Sequence, residues 1–184
     1  GVRMYSRELD QTTVTGPALR LRATAPAEVD WVVAQERRPE NRPYVLDWGP
    51  ERHRALLQNP DSLHLIIEDA NGEKAGYAIL NGLENAAGSV ELMRLVVAQK
   101  GQGTGREAIL RLMRHFFAQG AHRFWLDVVT GNTGAIALYE KLGFVKEGVL
   151  RECLMFNGKR ESMQVMSVLA REYRAFGGPA GPGI

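Results

Sequence analysis

Two spacings of apolar residues divide the chain into strand-like and helix-like segments. Alternating or short continuous apolar runs predict strands, and they lie at 19–22, 64–68, 75–80, 89–97, 123–129, 144–156 and 162–169. Helix-forming composition, or apolar residues three and four positions apart, predicts helices at 30–37, 50–58, 132–142 and in a longer stretch that ends at 119. The chain therefore begins with a strand, two helices and a meander, and continues with helices and strands in alternation.

Glycine marks several connections between these segments. Asn71-Gly72 stands between two apolar runs, which is a strong hairpin signal. Gly120 and Gly143 each follow a helical pattern, where glycine commonly ends a helix. The strand–helix–strand unit across 90–129 implies a right-handed parallel crossover. We therefore expect an α/β fold around a mixed, mostly antiparallel sheet of six or seven strands.

The two ends of the chain carry no helix or strand pattern. Residues 1–17 are polar, contain Gly16-Pro17 and show no sustained period, so we expect an irregular lead-in. Residues 176–184 are rich in glycine and proline, which predicts a disordered tail. Since no internal repeat or linker divides the rest, residues 18–175 are expected to form one domain.

The segment between the first two predicted helices differs from its surroundings. Residues 38–43 contain two prolines and three charged side chains, which exclude a regular helix and a core strand. The loop carries Glu36, Glu40, Asp47 and Trp48 within it or beside it. These residues fit either an entrance for a cationic substrate or a solvated surface loop, and the sequence does not decide between them.

Charge and cysteine content narrow the function slightly. The net charge of +2 over 184 residues is too small to argue for nucleic-acid binding, and a modest basic excess suits an anionic cofactor. The single cysteine, Cys153, excludes an internal disulfide and fits a reducing compartment. No run approaches the roughly 18 apolar residues of a membrane span, and the N-terminus lacks a signal-peptide pattern. We therefore expect a cytoplasmic protein without a membrane or nucleic-acid partner.

The first candidate for a functional site is the segment 92–106. An apolar, β-branched strand pattern leads into the alternating glycines Gly101, Gly103 and Gly105, and then into a helix pattern. Glycine allows positive φ and close backbone approach, so several N–H groups can converge at the positive end of a helix dipole. This arrangement predicts an anion site, and phosphate is the anion that fits it best.

The spacing of the glycines discriminates between known phosphate loops. A Walker A pattern is absent. The dinucleotide pattern G-x-G-x-x-G matches at Gly101 and Gly103, but its sixth position is Arg106. The arginine side chain would crowd the close helix–strand contact that a small residue at this position permits. The register Lys100-x-x-Gly103-x-Gly105 resembles the [QR]-x-x-G-x-[GA] pyrophosphate loop of the GNAT superfamily of acetyl-CoA-dependent N-acyltransferases. Lys100 departs from the usual Gln or Arg at the first position.

Four polar side chains elsewhere are candidates for chemistry, and each also has a structural interpretation. Asp127 interrupts a strand that we expect to be covered on both faces, so it is either paired with a cation or kept for function. Glu91, at the head of the strand 90–97, raises the same question. Asn132 is also a favoured helix N-cap, and Tyr139 also fits an apolar helix face.

The later part of the chain strengthens the resemblance. Residues 132–144 have the sequence N-T-G-A-I-A-L-Y-E-K-L-G-F, similar to the N-x-x-A-x-x-x-Y-x-x-x-G-F segment that follows the pyrophosphate loop in GNAT enzymes. Glu147-Gly148, Arg151 and Met166-Ser167 resemble the branch that contains ribosomal-protein N-terminal acetyltransferases and their polyamine- and antibiotic-modifying relatives. The resemblance extends over 18–175 and implies a GNAT fold, with helices on both faces of a sheet that is splayed at the acetyl-CoA strand.

The resemblance also implies which residues bind acetyl-CoA. The loop would bind the pyrophosphate through Lys100, Gly101, Gln102, Gly103, Thr104, Gly105 and Arg106. The backbone of Leu95, Val96 and Val97 would pair with the pantetheine amides, and Asn132 would bond the cofactor as well.

Three catalytic candidates follow from the same resemblance. Tyr139 would be the general acid at the sulfur of CoA. Asp127 falls at the general-base position of the N-terminal acetyltransferase branch, but it is one methylene shorter than the Glu found there. Glu91 matches the base position of the histone-acetylating branch and is the second candidate for the base.

The expected reaction is direct attack of a primary amine on acetyl-CoA, since no metal cluster or activated Ser or Cys pattern is visible in the sequence. The amine would belong to a protein N-terminus, a polyamine or a small molecule, and the sequence leaves this choice open. Because Lys100 and Asp127 depart from the family pattern, a CoA-binding sensor or scaffold is an alternative. A dinucleotide-binding protein would need a second βαβ half for which the chain has no room. A homodimer is compatible with the sequence.

Overall fold

In a computed structural model, which describes residues 5–175, seven strands form one sheet. The strands are β1 (Arg20–Ala23), β2 (Ser62–Glu68), β3 (Lys74–Asn81), β4 (Ser89–Val97), β5 (Arg123–Val129), β6 (Val145–Phe156) and β7 (Lys159–Leu169). The helices are α1 (Val29–Glu36), α2 (Pro50–Leu57), α3 (Thr104–Ala118), α4 (Thr133–Lys141) and α5 (Ala170–Ala175), with a 3₁₀ turn at Pro26–Glu28. All seven strands and the first four helices coincide with predicted segments, whereas α5 was not predicted.

The strands follow the order β1-β2-β3-β4-β5-β7-β6 across the sheet. Every neighbouring pair is antiparallel except β4 and β5, which run parallel because α3 returns the chain to the same end of the sheet. The predicted mixed, mostly antiparallel sheet is therefore confirmed. Since β7 lies between β5 and β6, β6 becomes an edge strand.

Helices cover both faces of the sheet, as the resemblance implied. On one face, here called the α3 face, Ile109 and Phe116 of α3 belong to the larger apolar core. On the other, the α1 face, Val32 of α1 and Leu56 of α2 pack with Tyr77 of β3 in a smaller core over β2, β3 and β4. Each large apolar side chain buried in this way stabilises the fold by roughly 1.5–3 kcal/mol. Within residues 5–175, no helix combines the length and apolar character needed to cross a bilayer.

The sheet opens between β4 and β5, which confirms the predicted splay. The parallel ladder joins only 89–91 to 123–125. Beyond it, β5 continues to Val129 paired with β7, while β4 continues to Val97 paired with β3. Among residues 5–175, the edge of β4 that faces β5 therefore has no strand partner after Glu91, and its backbone groups line an opening.

A bulge in β4 changes which side chains face each layer of helices. The register with β3 passes from Leu92 opposite Leu80 to Arg94 opposite Ile79, so Met93 has no partner. Leu92 contributes to the core on the α3 face. Arg94, two residues later, reaches α1 on the opposite face instead. The bulge thus places the guanidinium group of Arg94 on the α1 face.

The first described residues, 5–17, have no helix or strand but lie close against α3. Tyr5 and Leu9 are buried in the core on the α3 face, and the Tyr5 ring meets the edge of Phe116 with centroids 5.2 Å apart. The proposed limits of the domain, 18–175, stay a prediction. The predicted disorder of 176–184 concerns residues outside the described range.

Candidate active site

The glycine loop has the backbone shape that the sequence predicts. Gly101 and Gly103 have φ of 81° and 77°, a region that residues with a Cβ rarely adopt. Gly103 precedes α3 in the left-handed conformation, and its carbonyl accepts the N–H of Glu107 at 3.0 Å. Gly105 lies in the helix instead, where a Cβ would make only ordinary contact, 3.7 Å from Val97 Cγ1. Positive φ is therefore required at the first two glycines only.

The first turn of α3 presents backbone donors without acceptors. An α-helix leaves its first N–H groups without intrahelical partners. In the described part of the chain, no acceptor reaches the N–H of Thr104, Gly105 or Arg106, and no side chain caps the helix. The helix dipole adds partial positive charge at this end. The arrangement therefore fits a phosphate group.

The two cationic side chains of the loop bind to different segments of the chain. Lys100 Nζ donates to Oδ1 of Asn41 at 3.1 Å. Arg106 Nη1 donates to Oγ1 of Thr15 at 2.7 Å. Gln102 bonds within the loop. Lys100 thus contacts the segment after α1, and Arg106 contacts the segment before β1.

Two carboxylates lie near each other where the sheet opens. Glu91 is the last β4 residue paired with β5, opposite Trp125, and Asp127 lies two residues further along β5. The pleat directs both side chains to the α1 face. Burial, and then the charge of Asp127, raises the pKa of Glu91 to about 7. Burial also raises the pKa of Asp127. A carboxylate with a pKa near neutrality is well matched to accept a proton at physiological pH.

The surroundings of Asp127 differ from those we expected. The prediction of a strand covered on both faces was wrong, because β5 buries only Phe124, Leu126 and Val128, while Asp127 on the opposite side is half-buried. The apolar core beneath α1 and α2 extends over β2 to β4 and stops short of β5. Among residues 5–175 no cation forms an ion pair with Asp127. A structural ion pair therefore does not explain this carboxylate.

Tyr139 lies in α4, and Asn132 is the N-cap of that helix. Tyr139 packs against the core of the α3 face, with its ring 5.7 Å from that of Phe144. Burial raises the pKa of its hydroxyl, and no group within 5–175 hydrogen-bonds to it. Asn132 caps α4, as predicted, because its Oδ1 accepts the N–H of Ala135 at 3.3 Å. The tyrosine hydroxyl is therefore protonated at neutral pH and available to donate a hydrogen bond.

A buried polar network on the α1 face was not predicted. Glu36, the last residue of α1, is fully buried and accepts hydrogen bonds from His53 Nε2 and Tyr77 Oη at 2.8 Å each, and from Arg94. His53 Nδ1 lies 3.0 Å from His64 Nε2. We call these five residues the Glu36 network. They come from five different elements, and the one local sign of them is polar residues such as His64 inside apolar strands.

The hydrogen-bonding roles in this network follow from the geometry. Burial, and then the neighbouring His53, lowers the pKa of His64 to about 4, so its ring is neutral near pH 7. When His53 donates to Glu36 from Nε2 and accepts at Nδ1, His64 donates from Nε2 and accepts at Nδ1 from the Thr24 hydroxyl at 2.7 Å. Burial opposes ionisation of Glu36, but His53 and Arg94 hold its pKa below the ordinary value. The buried carboxylate is therefore charged.

The Glu36 network bears on the two alternatives that the sequence left open for the loop after α1. Glu36 does not line an entrance for a cationic substrate, because Arg94 neutralises it inside the protein. It anchors the loop instead, since its carboxylate also accepts the N–H of Trp48 at 3.3 Å. Glu40 and Asp47 pair with neighbouring arginines. Within the described residues, each of these three carboxylates pairs with an arginine, in a buried pair for Glu36 and in exposed pairs for Glu40 and Asp47.

Comparisons with known proteins are consistent with this fold. Residues 30–144 match a family model described as the acetyltransferase (GNAT) family. The chain is 30% identical over 110 residues to a spermidine N(1)-acetyltransferase of Vibrio cholerae, a match that covers 59% of this chain and 64% of the relative. It is 29% identical over 131 residues to the [ribosomal protein bS18]-alanine N-acetyltransferase of Escherichia coli K12, covering 70% of this chain and 85% of the relative.

A solved structure gives the same picture of the fold. The crystal structure of spermidine N-acetyltransferase from Vibrio cholerae, in complex with CoA and spermine, superposes on this chain with a TM-score of 0.75. The alignment covers 84% of this chain and 97% of that chain at 24% sequence identity. By sequence, however, the match spans less than two thirds of the length of the curated spermidine acetyltransferase, 64%.

Proposed function

The chain belongs to the GNAT family of acetyltransferases, whose members use acetyl-CoA, and we propose that it transfers the acetyl group of acetyl-CoA to a primary amine. The observation that carries the proposal is the opening between β4 and β5. Its wall is the unpaired edge of β4, the free amides of α3 follow that strand, and Glu91 and Asp127 lie where the two strands separate. A long thioester with a phosphate group at one end fits this order of partners.

Each part of the opening has a proposed role in holding acetyl-CoA. The unpaired backbone of Leu95, Val96 and Val97 would hydrogen-bond to the pantetheine amides. The pyrophosphate would occupy the glycine loop, whose proposed ligands are Lys100, Gly101, Gln102, Gly103, Thr104, Gly105 and Arg106. The side-chain amide nitrogen of Asn132, which capping leaves unused, would donate a further hydrogen bond.

In the proposed reaction, Glu91 accepts the proton of the attacking amine. The sequence favoured Asp127 as the base, but the pKa of Glu91, about 7, matches the task more closely. Asp127 then serves as the neighbouring charge that helps to raise this pKa. Because the two carboxylates interact, the apparent pKa values belong to the pair.

Tyr139 is the proposed general acid in the acetyl transfer. The amine nitrogen forms a bond to the thioester carbonyl carbon, the C–S bond breaks, and the amine proton passes to Glu91. Tyr139 donates a proton to the leaving sulfur and is reprotonated from Glu91 through solvent. Since a thiol has a pKa of about 8.5, this donor accelerates the reaction without being indispensable. The products are an amide and free CoA.

The strength of the proposed base favours a weakly basic amine. At pH 7, deprotonating an α-amine with a pKa near 8 costs about 1.4 kcal/mol, whereas an amine near 10.4 costs about 4.6 kcal/mol. The names of the relatives include both a spermidine and an alanine acceptor. We propose a protein or peptide N-terminus as the preferred acceptor, ahead of polyamines and small-molecule amines.

A CoA-release assay tests this function. The purified chain is incubated with acetyl-CoA and a panel of peptides with free N-termini, spermidine and aminoglycosides. We expect release of CoA with at least one amine, and the largest kcat/KM with a peptide. Binding of acetyl-CoA without release for any acceptor would instead support a CoA-binding sensor.

We also propose that the chain forms a homodimer through β6. An edge strand presents unpaired backbone donors and acceptors, and β6 carries four large apolar side chains that are about half exposed: Val145, Val149, Leu150 and Met155. Sedimentation velocity should give a dimer for the natural sequence and a monomer for Val149→Lys. A monomeric natural sequence would contradict the proposal.

A cytoplasmic location stays a prediction from the sequence.

A further inference from the structure

A buried carboxylate ties the segment before β1 to α3. We call residues 13–17 the strap. Glu107, in the first turn of α3, is fully buried. Its carboxylate accepts the backbone N–H groups of three consecutive strap residues, Val14, Thr15 and Gly16, at 2.7, 2.9 and 2.7 Å. Three charge-assisted hydrogen bonds to one side chain hold the strap in a single backbone conformation.

Arg111 completes this anchor one turn later in α3. Its Nε donates to Glu107 at 2.8 Å, and its two terminal nitrogens donate to the Leu19 carbonyl at 2.5 Å and to Thr13 Oγ1 at 3.2 Å. Burial opposes ionisation of Glu107, but the hydrogen bonds from the strap and from Arg111 keep its pKa below the ordinary value. The ion pair is therefore charged and fully partnered, which a buried pair requires in order to be tolerated.

The strap lies directly beside the glycine loop. Thr15 Oγ1 accepts the hydrogen bond from Arg106 at 2.7 Å. A Cβ built on Gly103 would lie 3.6 Å from Pro17 Cδ, so Pro17 is next to the loop as well. Gly16 has no room for a side chain, because its Cβ would be 2.8 Å from Glu107 Cβ. The strap thus touches two residues of the proposed pyrophosphate site.

We infer that the strap positions the phosphate-binding residues, with Glu107 as the positioning residue, an inference that rests on the proposed use of acetyl-CoA. Thr15 holds the exposed guanidinium of Arg106 beside the free amides of α3. A guanidinium that is already held loses less conformational freedom on binding phosphate than a free one. The strap therefore increases affinity for the phosphate part of acetyl-CoA and leaves the pantetheine part unaffected.

A strap with a purely structural role would behave differently. Loosening it would lower the stability of the fold and weaken all ligands of the opening to a similar extent. CoA and pantetheine separate the two cases, because pantetheine lacks the pyrophosphate and the nucleotide. Their acetylated forms give the same comparison in turnover.

The first test is Thr15→Val, which removes the acceptor for Arg106 at an exposed position and keeps the side-chain shape. We expect the dissociation constant of CoA and the KM of acetyl-CoA to rise at least threefold. The corresponding values for pantetheine and S-acetylpantetheine, and kcat with either thioester, should stay within twofold. Thr12→Val is the matched control, since Thr12 is exposed, bonds to Asp10 and lies outside the strap. It should change neither ligand.

The second test is Glu107→Gln, which weakens the anchor of the strap itself. We expect at least a tenfold loss of CoA affinity with unchanged pantetheine affinity, provided that circular dichroism shows a folded variant. If this variant does not fold, Thr15→Val alone decides. Natural-sequence affinity for CoA in Thr15→Val, or an equal loss for CoA and pantetheine, would overturn the inference. A natural sequence that binds CoA but releases none from acetyl-CoA would overturn the proposed reaction instead.

Discussion

At the scale of single residues, the fold changes the acid–base chemistry of Glu91 most directly. Burial and the charge of Asp127 raise its pKa from an ordinary 4.5 to about 7. Because the folded state favours the protonated form, this carboxyl stabilises the protein fully below pH 4.5, and the contribution is lost as the pH rises through 7. The property that suits Glu91 to accept a proton therefore reduces stability above neutrality.

Replacement of Glu91 by Gln should separate these two effects. A neutral amide removes the cost of a buried charge, so the melting temperature of Glu91→Gln should exceed that of the natural sequence at pH 8 and equal it at pH 5. Loss of the base should lower kcat/KM at pH 7 by about 10²-fold, with recovery as rising pH deprotonates the amine. Melting curves and a pH–rate profile measure both. An unchanged profile would remove Glu91 from the mechanism.

Asp127→Asn tests whether Asp127 is a neighbouring charge or the base. If it is the neighbour, the variant loses one of the two causes that raise the pKa of Glu91, while burial remains. The rising limb of the pH–rate profile should then move to lower pH, with near-natural kcat at pH 8. If turnover is instead lost and recovers only at high pH, Asp127 is the base that the sequence favoured.

Tyr139→Phe tests the general acid without a large structural cost. The hydroxyl has no hydrogen-bond partner within 5–175, so its removal should change the free energy of unfolding by less than about 1 kcal/mol. Loss of proton donation to the sulfur should lower kcat by on the order of 10²-fold. Tyr173→Phe, in α5, is the control and should retain kcat. Equal turnover in both variants would leave Tyr139 with a packing role only.

Single residues were predictable where a short segment contained the whole signal. Gly103, Asn132 and Tyr139 stand at fixed spacings within the loop or helix that they serve, and the cap at Asn132 was correctly predicted. The Glu36 network offers no such spacing, because Glu36 lies 17 residues from His53 and 58 from Arg94. Its members meet only when the strands are paired.

At the scale of elements, β4 and β5 were predicted with the bounds that the structure has. Each strand stands between glycine-containing connections, with Gly88 and Gly101 on either side of β4 and Gly120 and Gly131 on either side of β5. The bulge at Met93 was not predicted, because the sequence of β4 does not show which of its residues lacks a partner in β3. α5 was missed because its six residues are too few for a helical period.

Because the bulge turns Arg94 toward α1, the stability of the fold should depend on the buried carboxylate of Glu36. Glu36→Gln leaves Arg94 buried without a counter-charge, so the free energy of unfolding should fall by about 3–5 kcal/mol in urea titrations. The pKa of Glu36 is lowered in the fold, so its contribution is present above pH 4.5 and is lost as the pH falls below that value. The variant should consequently lose less stability than the natural sequence on acidification.

Glu40→Gln is the matched control for this experiment. Glu40 lies in the same loop and pairs with Arg38, but both side chains are substantially exposed. An exposed pair contributes at most about 1 kcal/mol. A similar loss of stability in the two variants would contradict the anchoring role of Glu36.

At the scale of the whole molecule, the least predictable feature is the packing of residues 5–17. The segment has no helical or strand period, yet Tyr5 and Leu9 are buried and the strap reaches Glu107 across 91 to 93 positions of sequence. Contacts of this kind depend on where α3 lies in three dimensions. Local patterns therefore predicted the seven strands, the first four helices and the backbone shape of the glycine loop, but not the segment that packs beside that loop.

Because the strap, the loop, α3 and β4 all meet at the proposed phosphate site, acetyl-CoA should stabilise the entire fold. A ligand at 100 times its dissociation constant adds about 2.7 kcal/mol to the free energy of unfolding. For a chain of this size the melting temperature should rise by roughly 5 to 11 °C. NAD, whose dinucleotide pattern fails at Arg106, should produce no rise. Equal shifts with both ligands would contradict the assignment of the loop.

Gly103→Val tests whether the stabilisation by acetyl-CoA arises at the glycine loop. A β-branched residue at φ 77° is strained by roughly 1–3 kcal/mol, and it adds side-chain bulk to the loop proposed to bind the pyrophosphate. Gly72→Val is the matched control, because Gly72 has φ 79° in the distant β2–β3 turn and has open space around it. Both variants should melt at similarly lowered temperatures without ligand, but only Gly103→Val should lose the rise with acetyl-CoA. If both variants keep the rise, the free amides of α3 do not bind the pyrophosphate.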